Sequence, residues 1–268
     1  MSRPEWAPYG VDLDRPNAAR VYDYYLGGAH NFAADRTMAE QALADWPELP
    51  LIMRANRAFM RRAVRFLIDA GVRQFLDLGS GIPTAGNVHE VARAAAPDSR
   101  VVYVDIDPVA VAHSRAILGD DPRVVAAQAD LRDPPAVLDL VRREGWLDLS
   151  QPVAVLLVAV LHFVPDGDDP GCIIAAYREA IAPGSYLAIC HASADGQGER
   201  AEKHRALYAR TPTPMTMRSR EQIDALMKGF EPVPPGLVHM TRWRPDDVDE
   251  EPVNASNFPG YAAVAFRP

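Results

Sequence analysis

The sequence predicts an α/β fold: a Rossmann-like sheet with helices on both faces, preceded by a helical extension. Three observations carry this. From about residue 72, short apolar runs alternate with helix-forming stretches in five successive strand–helix units. One run, PVAVLLVAVL (152–161), is apolar at nearly every position, as in a central parallel strand covered on both faces. Another, QFLDL (74–78), runs into Gly79-Ser80-Gly81, a turn that joins a strand to a helix at the ligand-binding end of such sheets.

In the extension, residues up to Leu26 read as a helix, which Gly27-Gly28 breaks. A second helix is expected from about Ala33 to Asp45, before Pro47 and Pro50. A third runs from Met53 to Ala70, where Phe59, Ala63, Phe66 and Leu67 recur at helical spacing and Gly71 stops the helix. After the first strand come a helix from about Asn87 to Ala96, a strand over 100–106 and a helix opened by Pro108. A third strand (123–130), a helix from about Pro135 to Arg143 and the apolar fourth strand follow. A helix over 170–182 and a strand over 185–192 complete the fifth unit. Beyond these, a polar helix (198–209), a Ser219-x-x-Gln222 capping box opening a helix to Lys228, and two closing strands (237–243 and 261–266) bring the sheet to seven strands. No internal repeat or linker divides the chain. One domain is expected, with residues 1–70 as an extension or lid belonging to it and 71–268 as its core.

Composition narrows the function classes. The formal net charge is −8, and the first 70 residues carry equal numbers of acidic and basic side chains. The excess negative charge therefore lies in the core, which argues against broad tracking of a nucleic-acid backbone and favours a small-molecule substrate. The longest apolar run is too short to span a bilayer, so no membrane partner is expected. The start, MSRPEWAPYG, lacks a basic segment followed by an apolar one, and Cys172 and Cys190 are too few for a disulfide framework. A cytoplasmic protein, monomer or homodimer, is the expectation. The seven histidines and two cysteines show no close ligand spacing, so no metal is expected.

The strand ends carry the informative residues. A dinucleotide fingerprint requires glycine at position 84, where this chain has Thr84. Asp77, just before Gly79-Ser80-Gly81, would repel a pyrophosphate and suit a cationic ligand. Asp105, ending the second strand, is placed to accept hydrogen bonds from both hydroxyls of a ribose, with Ile106 packing on a base. Asp130, after the third strand, falls near a base amino group, with Leu131 as its apolar neighbour. A blander reading stands beside each: Asp77 as a turn or helix cap, Asp105 as the N-cap before Pro108.

An acidic end on the first strand with Gly-x-Gly, an acidic end on the second and an Asp after the third resemble the class I S-adenosylmethionine-dependent methyltransferase motifs over roughly residues 72–192, with a looser match to the closing strands. More narrowly, RVYDYYLGGAHNFAADR, RANRAFMRRAVRFL, FLDLGSGIPTAGNVHEVA and LLVAVLHFVPD are similar to an actinobacterial family of S-adenosyl methyltransferases, formerly a domain of unknown function. The resemblance implies S-adenosylmethionine as cofactor and S-adenosylhomocysteine as product. It also implies the seven-stranded methyltransferase sheet and, for such a source, a role in secondary metabolism. Pro83 stands where the common turn has a third glycine, and the interval from Gly81 to Asp105 is long. That suggests a widened loop in which Thr84 and Asn87 contact the ligand.

Methyl transfer is an in-line displacement, so the protein chiefly aligns the acceptor and excludes water; a general base is needed only for a protonated acceptor. His162, at the end of the fourth strand, is the candidate catalytic group, with His191 behind it. Tyr22, Tyr25, His30, Asn31 and Arg57 are candidate substrate-binding residues, the tyrosines otherwise serving as anchors for the extension. Arg54, Arg57, Arg61 and Arg65 form one helical stripe, read either as anion recognition or as a solvated face. Two other functions fit the fold: an NAD(P)-dependent oxidoreductase, and a protein that binds S-adenosylmethionine without turnover.

Overall fold

The computed structural model describes residues 11–83, 86–209, 211–246 and 259–268. Three helices come first: α1 (Ala18–Tyr25), α2 (Ala33–Asp45) and α3 (Leu49–Asp69). Asn17 caps α1 by accepting the Ala19 N–H at 2.8 Å. α3 begins one turn earlier than the apolar spacing predicts, because Pro50 occupies its first turn, where a missing N–H costs nothing. The alternating part follows as β1 (Gln74–Leu78), α4 (Val88–Ala95), β2 (Arg100–Asp105), α5 (Pro108–Leu118), β3 (Val124–Gln128), α6 (Pro134–Arg143), β4 (Ala154–Val158), α7 (Pro170–Ala180) and β5 (Tyr186–Ala192). An Asp-Pro step opens each of three helices here. Asp107, Asp133 and Asp169 accept N–H bonds from Val109, Ala136 and Cys172 at 2.6, 3.1 and 3.0 Å, and the proline takes the first helical position. The chain closes with α8 (Gly198–Tyr208), α9 (Arg220–Leu226), β6 (Glu231–Pro232), β7 (Val238–His239) and β8 (Gly260–Phe266).

The strands pair in the order β3-β2-β1-β4-β5-β8-β6, with β7 also on β8; the first five are parallel and β8 is antiparallel to β5. The order reverses between β1 and β4, and ligands bind to open α/β sheets at that switch point, beyond the carboxyl ends of the strands. Among the described residues the sheet has eight strands where seven were expected. The strand expected over 237–243 is only Val238–His239, followed by a 3-10 turn over Met240–Arg242. There α3 draws the chain off the sheet: buried Arg62 donates to the Trp243 and Met240 carbonyls at 2.9 and 2.8 Å. The edge of β8 is left to two short strands, β6 and β7, instead of one long one.

The fourth strand is also shorter than its apolar run. It ends at Val158, Ala159 turns to φ 60°, and Leu161–Phe163 form a 3-10 turn. Leu161 and Val164 are apolar because they pack into the core below that turn; hydrophobicity reported burial there rather than strand period.

Two cores flank the sheet. On one face Leu76, Val155 and Leu157 pack with α6, α7 and α9. On the other, Phe75, Leu156 and Ala188 share one continuous cluster with Val21, Trp46, Phe59 and Leu67 of the extension. No helix among the described residues is long and apolar enough to cross a membrane.

Candidate functional site

A cavity of about 140 Å³ opens at the carboxyl ends of β1, β2 and β4, with α1 and α3 closing its far side. Asp77, Gly79, Ser80, Gly81, Asp105, Ile106, Asp130 and Leu131 all line it, as do Tyr22 and Arg57 from the extension. Strand order explains the convergence: β2, β1 and β4 are neighbours in parallel, so the residues after each strand meet on one side. Thr84 lies outside the described residues.

Asp77 is 9% exposed and accepts no hydrogen bond from the described residues. Burial pushes its carboxyl up to about 7; the Arg57 guanidinium opposes that and the Asp105 carboxylate adds to it. An aspartate that caps a helix or holds a turn has an N–H partner, and Asp77 has none among the described residues. Arg57 donates from Nη2 to Asn87 Oδ1 at 2.9 Å, while its Nε is buried without a partner among the described residues. An unpaired carboxylate and an unpaired guanidinium N–H side by side match a ligand carrying an ammonium next to a carboxylate.

Asp105 accepts the Gly81 N–H on Oδ2 at 2.7 Å and the Asp107 N–H on Oδ1 at 2.8 Å. Burial raises its carboxyl to about 6, against those two bonds. It is not the N-cap of α5; Asp107 is. Asp105 thus ties the Gly79-Ser80-Gly81 turn to the end of β2, and each oxygen keeps a lone pair for a hydroxyl donor. Ile106 is 47% exposed, a large apolar side chain on the cavity rim. Asp130 is gripped by Arg132, whose Nε lies 3.0 Å from both carboxylate oxygens and whose Nη1 reaches Asp168 at 3.1 Å.

The turn is tightly built. Gly79 has φ +71°, and a Cβ there would overlap the Val160 side chain. A Gly79→Ala variant is expected to lose about 1–3 kcal/mol of stability from overpacking and strain. Chemical denaturation checks this; an unchanged midpoint would show that Val160 yields.

The candidate substrate residues divide. Tyr22 donates its hydroxyl to the Met53 carbonyl at 3.3 Å and accepts from Asn56 Nδ2 at 2.8 Å. Tyr25, His30 and Asn31 stand outside the cavity. Tyr25 points from α1 into the core, 4% exposed. His30 lies against His113 of α5, with ring centroids 3.6 Å apart and planes tilted by 50°. Asn31 Nδ2 donates to Asp23 Oδ2 and to the Gly28 carbonyl at 2.9 and 3.0 Å. Gly27-Gly28 follows the end of α1 as expected, and Gly28 is packed closely: a Cβ on it would overlap the Asp23 carboxylate. The arginine stripe also divides. Arg57 enters the cavity, Arg54 is exposed, Arg61 runs along Gly86, and Arg65 pairs with Asp246 at the surface.

His162 lies in the 3-10 turn and not on β4, and it lines a second cavity of about 70 Å³. Tyr22, Asn56, Ala159 and Phe163 line both cavities, so the two adjoin. The Ala192 peptide groups fix two histidines in opposite senses. Its N–H points to His162 Nδ1 at 3.4 Å, and its carbonyl faces His191 Nδ1 at 2.7 Å, which must therefore carry a proton. His191 Nε2 then accepts from Arg218 at 2.9 Å, so both its nitrogens are engaged. Sequence reasoning missed Asn56, a buried polar residue of α3 set among Ile52, Phe59 and Met60, and the methionines of the second cavity. Met215 and Met217 carried a signal: two residues apart in an extended, proline-flanked run, they share one side.

No curated protein matches the chain. Among solved structures it is similar to a DUF574 family protein from Streptomyces avermitilis, at 39% identity and TM-score 0.92, covering 96% of this chain and 99% of that one. It is equally similar to a proposed methyltransferase from Thermobifida fusca, at 40% identity and TM-score 0.91, covering 98% and 99%. The plantazolicin methyltransferase BamL shares the fold alone, at 9% identity and TM-score 0.55 over 94% of this chain and 96% of that one. The S-adenosyl methyltransferase family matches residues 4–268, so the chain belongs to that family and is an enzyme using S-adenosylmethionine as its methyl donor.

Proposed function

We propose that the larger cavity holds S-adenosylmethionine and that the enzyme methylates a small molecule seated against the adjoining one. The observation that carries this reading is the buried Asp77 carboxylate, with no hydrogen-bond donor among the described residues, coupled to the half-buried Arg57, whose Nε has no partner there; the two complement the ammonium and carboxylate of the cofactor's amino-acid end. Asp105 would take the ribose hydroxyls, Ile106 and Leu131 the faces of the base, and Asp130 the base amino group. Gly79, Ser80 and Gly81 leave room for the chain between them. When bound, S-adenosylmethionine supplies an electrophilic methyl group on a sulfonium.

The protein's own part is to orient and to exclude water. Helices α1 and α3 form the far wall, so the described part of the extension, 11–70, acts as a fixed lid within the one domain; residues 1–10 lie outside the described residues. Tyr22, held by Asn56 and the Met53 carbonyl, stands where the cavities meet. His162 is placed to orient the acceptor more than to take a proton: with Nδ1 facing an N–H, its proton sits on Nε2, a donor. Both cysteines are free thiols, which supports a cytoplasmic site of action. The actinobacterial sources of the two similar structures support a role in secondary metabolism. Monomer or homodimer remains the proposed state.

Calorimetric titration with S-adenosylmethionine, S-adenosylhomocysteine and NAD tests the reading: the first two are expected to bind and NAD is not. An Asp105→Ala variant is expected to bind S-adenosylhomocysteine about 1–3 kcal/mol more weakly, for the loss of two hydroxyl contacts. Unchanged affinity in a folded variant removes Asp105 from that role.

A further inference from the structure

The second cavity is walled by side chains from α1, the end of α2, α3, the turn after β4, the end of β5, α8 and the segments around Met215 and Met240. Among the described residues its lining includes no Asp, Glu, Lys or Arg. Its titratable groups are all neutral at pH 7. Burial lowers His191 to about 3 and His204 to about 4, and holds His162 well below the usual histidine range. Burial also pushes the Cys190 thiol up to about 12 and raises the Tyr22 hydroxyl.

Four methionines (Met53, Met215, Met217 and Met240) face Trp46, Phe163 and Tyr208 across this space. Thioethers are adaptable and make favourable contacts with aromatic rings. At the junction with the larger cavity, Asn56 Oδ1 is buried without a hydrogen-bond partner among the described residues, beside the Tyr22 hydroxyl.

We infer that the second cavity is the acceptor site and that it takes an uncharged aromatic molecule, ring system among the methionines and its one polar group turned toward Tyr22 and Asn56. The physical reason is desolvation. A carboxylate or ammonium seated here would lose its water and meet no countercharge, whereas a flat apolar ring loses only hydration it is better without. The inference rests on the larger cavity being the cofactor site.

The test is made on the full-length protein in two steps. S-adenosylhomocysteine is titrated first; if it does not bind, the cofactor assignment fails and this inference fails with it. The loaded protein is then titrated with indole and 2-naphthol, and with their charged counterparts indole-3-carboxylate and 2-naphthoate. At least one neutral probe is expected to bind, at least about tenfold tighter than its carboxylate partner. Its binding is expected to change tryptophan emission, a change that Trp46→Phe removes while calorimetry still records binding.

Met217→Arg, and Met53→Arg as a second variant on a different element, are expected to reverse the preference in favour of the carboxylates. S-adenosylhomocysteine affinity should stay as in the wild type. Carboxylates binding as well as the neutral probes, or no neutral probe binding to the loaded protein, would overturn the inference and leave the cofactor site standing.

Discussion

An Arg20→Met variant is expected to lose about 3–5 kcal/mol of stability, the cost of stranding buried carboxylates without their cation. Arg20 Nε lies 3.0 Å from Asp35 Oδ2, and its Nη1 lies 3.6 Å from Asp107 Oδ2; all three side chains are almost fully buried. Asp35 also accepts the Asn17 N–H at 2.9 Å and the Phe32 N–H at 2.8 Å, which fixes the starts of α1 and α2. Asp107 caps α5, next to the Asp105 turn. One guanidinium therefore ties the extension to the ligand-binding end of the sheet. Loss of a few kcal/mol in a chain of this size lowers the melting temperature by roughly 10 °C. The loss is expected to shrink as pH falls, because the stranded carboxylates take up protons and shed their charge. Affinity for S-adenosylhomocysteine should fall as well, since Asn17, Ala18 and Ala19 line the larger cavity, the proposed cofactor site. A variant that melts with the wild type would show that the extension is held by its apolar contacts alone.

An Asp77→Asn variant is expected to bind S-adenosylhomocysteine about 2–4 kcal/mol more weakly at pH 8, the range for truncating one partner of a buried charge pair. Its free form is expected to be more stable at that pH. Both effects come from one cause. An unfolded aspartate titrates near 3.9, and Asp77 in the fold near 7. Between those values the folded protein holds the extra proton, so Asp77 lowers stability as pH rises from about 4 to about 7 and by a constant amount above that. In the proposed site the ligand's ammonium meets the ionised form, so wild-type affinity should rise with pH through about 7, by roughly tenfold from pH 6 to pH 8. The asparagine variant should lack that slope above pH 6.5. Below pH 6, protonation of Asp105 weakens binding further in the same direction. Calorimetry across pH, with denaturation of the free variant, checks both.

Much of the sheet was legible because local signals and tertiary demand agreed. QFLDL became β1 and Ala33–Asp45 became α2 as expected, and Pro108 opens α5. Asp77 and Asp105 were legible for a different reason: polar residues at the ends of otherwise apolar strands have to serve something. The end of β4 was not legible. An apolar run does not distinguish strand from a buried 3-10 turn, and the positive φ of Ala159 leaves no trace in composition.

Tyr22, Tyr25, His30 and Asn31 were read as one cluster because they are close in sequence. Helix geometry sends Tyr22 to the cavity and Tyr25 to the core, and the Gly27-Gly28 turn consumes Asn31 in its own hydrogen bonds. The second cavity was least legible of all. Its walls come from elements as far apart in sequence as α1, α3, β5, α8 and the segments around Met215 and Met240, and only their packing brings Met53, His204 and Met217 together.

The most direct test of the account is the proton balance of cofactor binding. S-adenosylhomocysteine is titrated calorimetrically into the wild type at pH 6.5, in buffers of different ionisation enthalpy. An Asp77 that is largely protonated in the free protein and ionised beside the ligand's ammonium predicts release of roughly half a proton or more per molecule bound. Binding with no net proton exchange, or with uptake, would contradict the assignment of Asp77 to the cationic end of the cofactor.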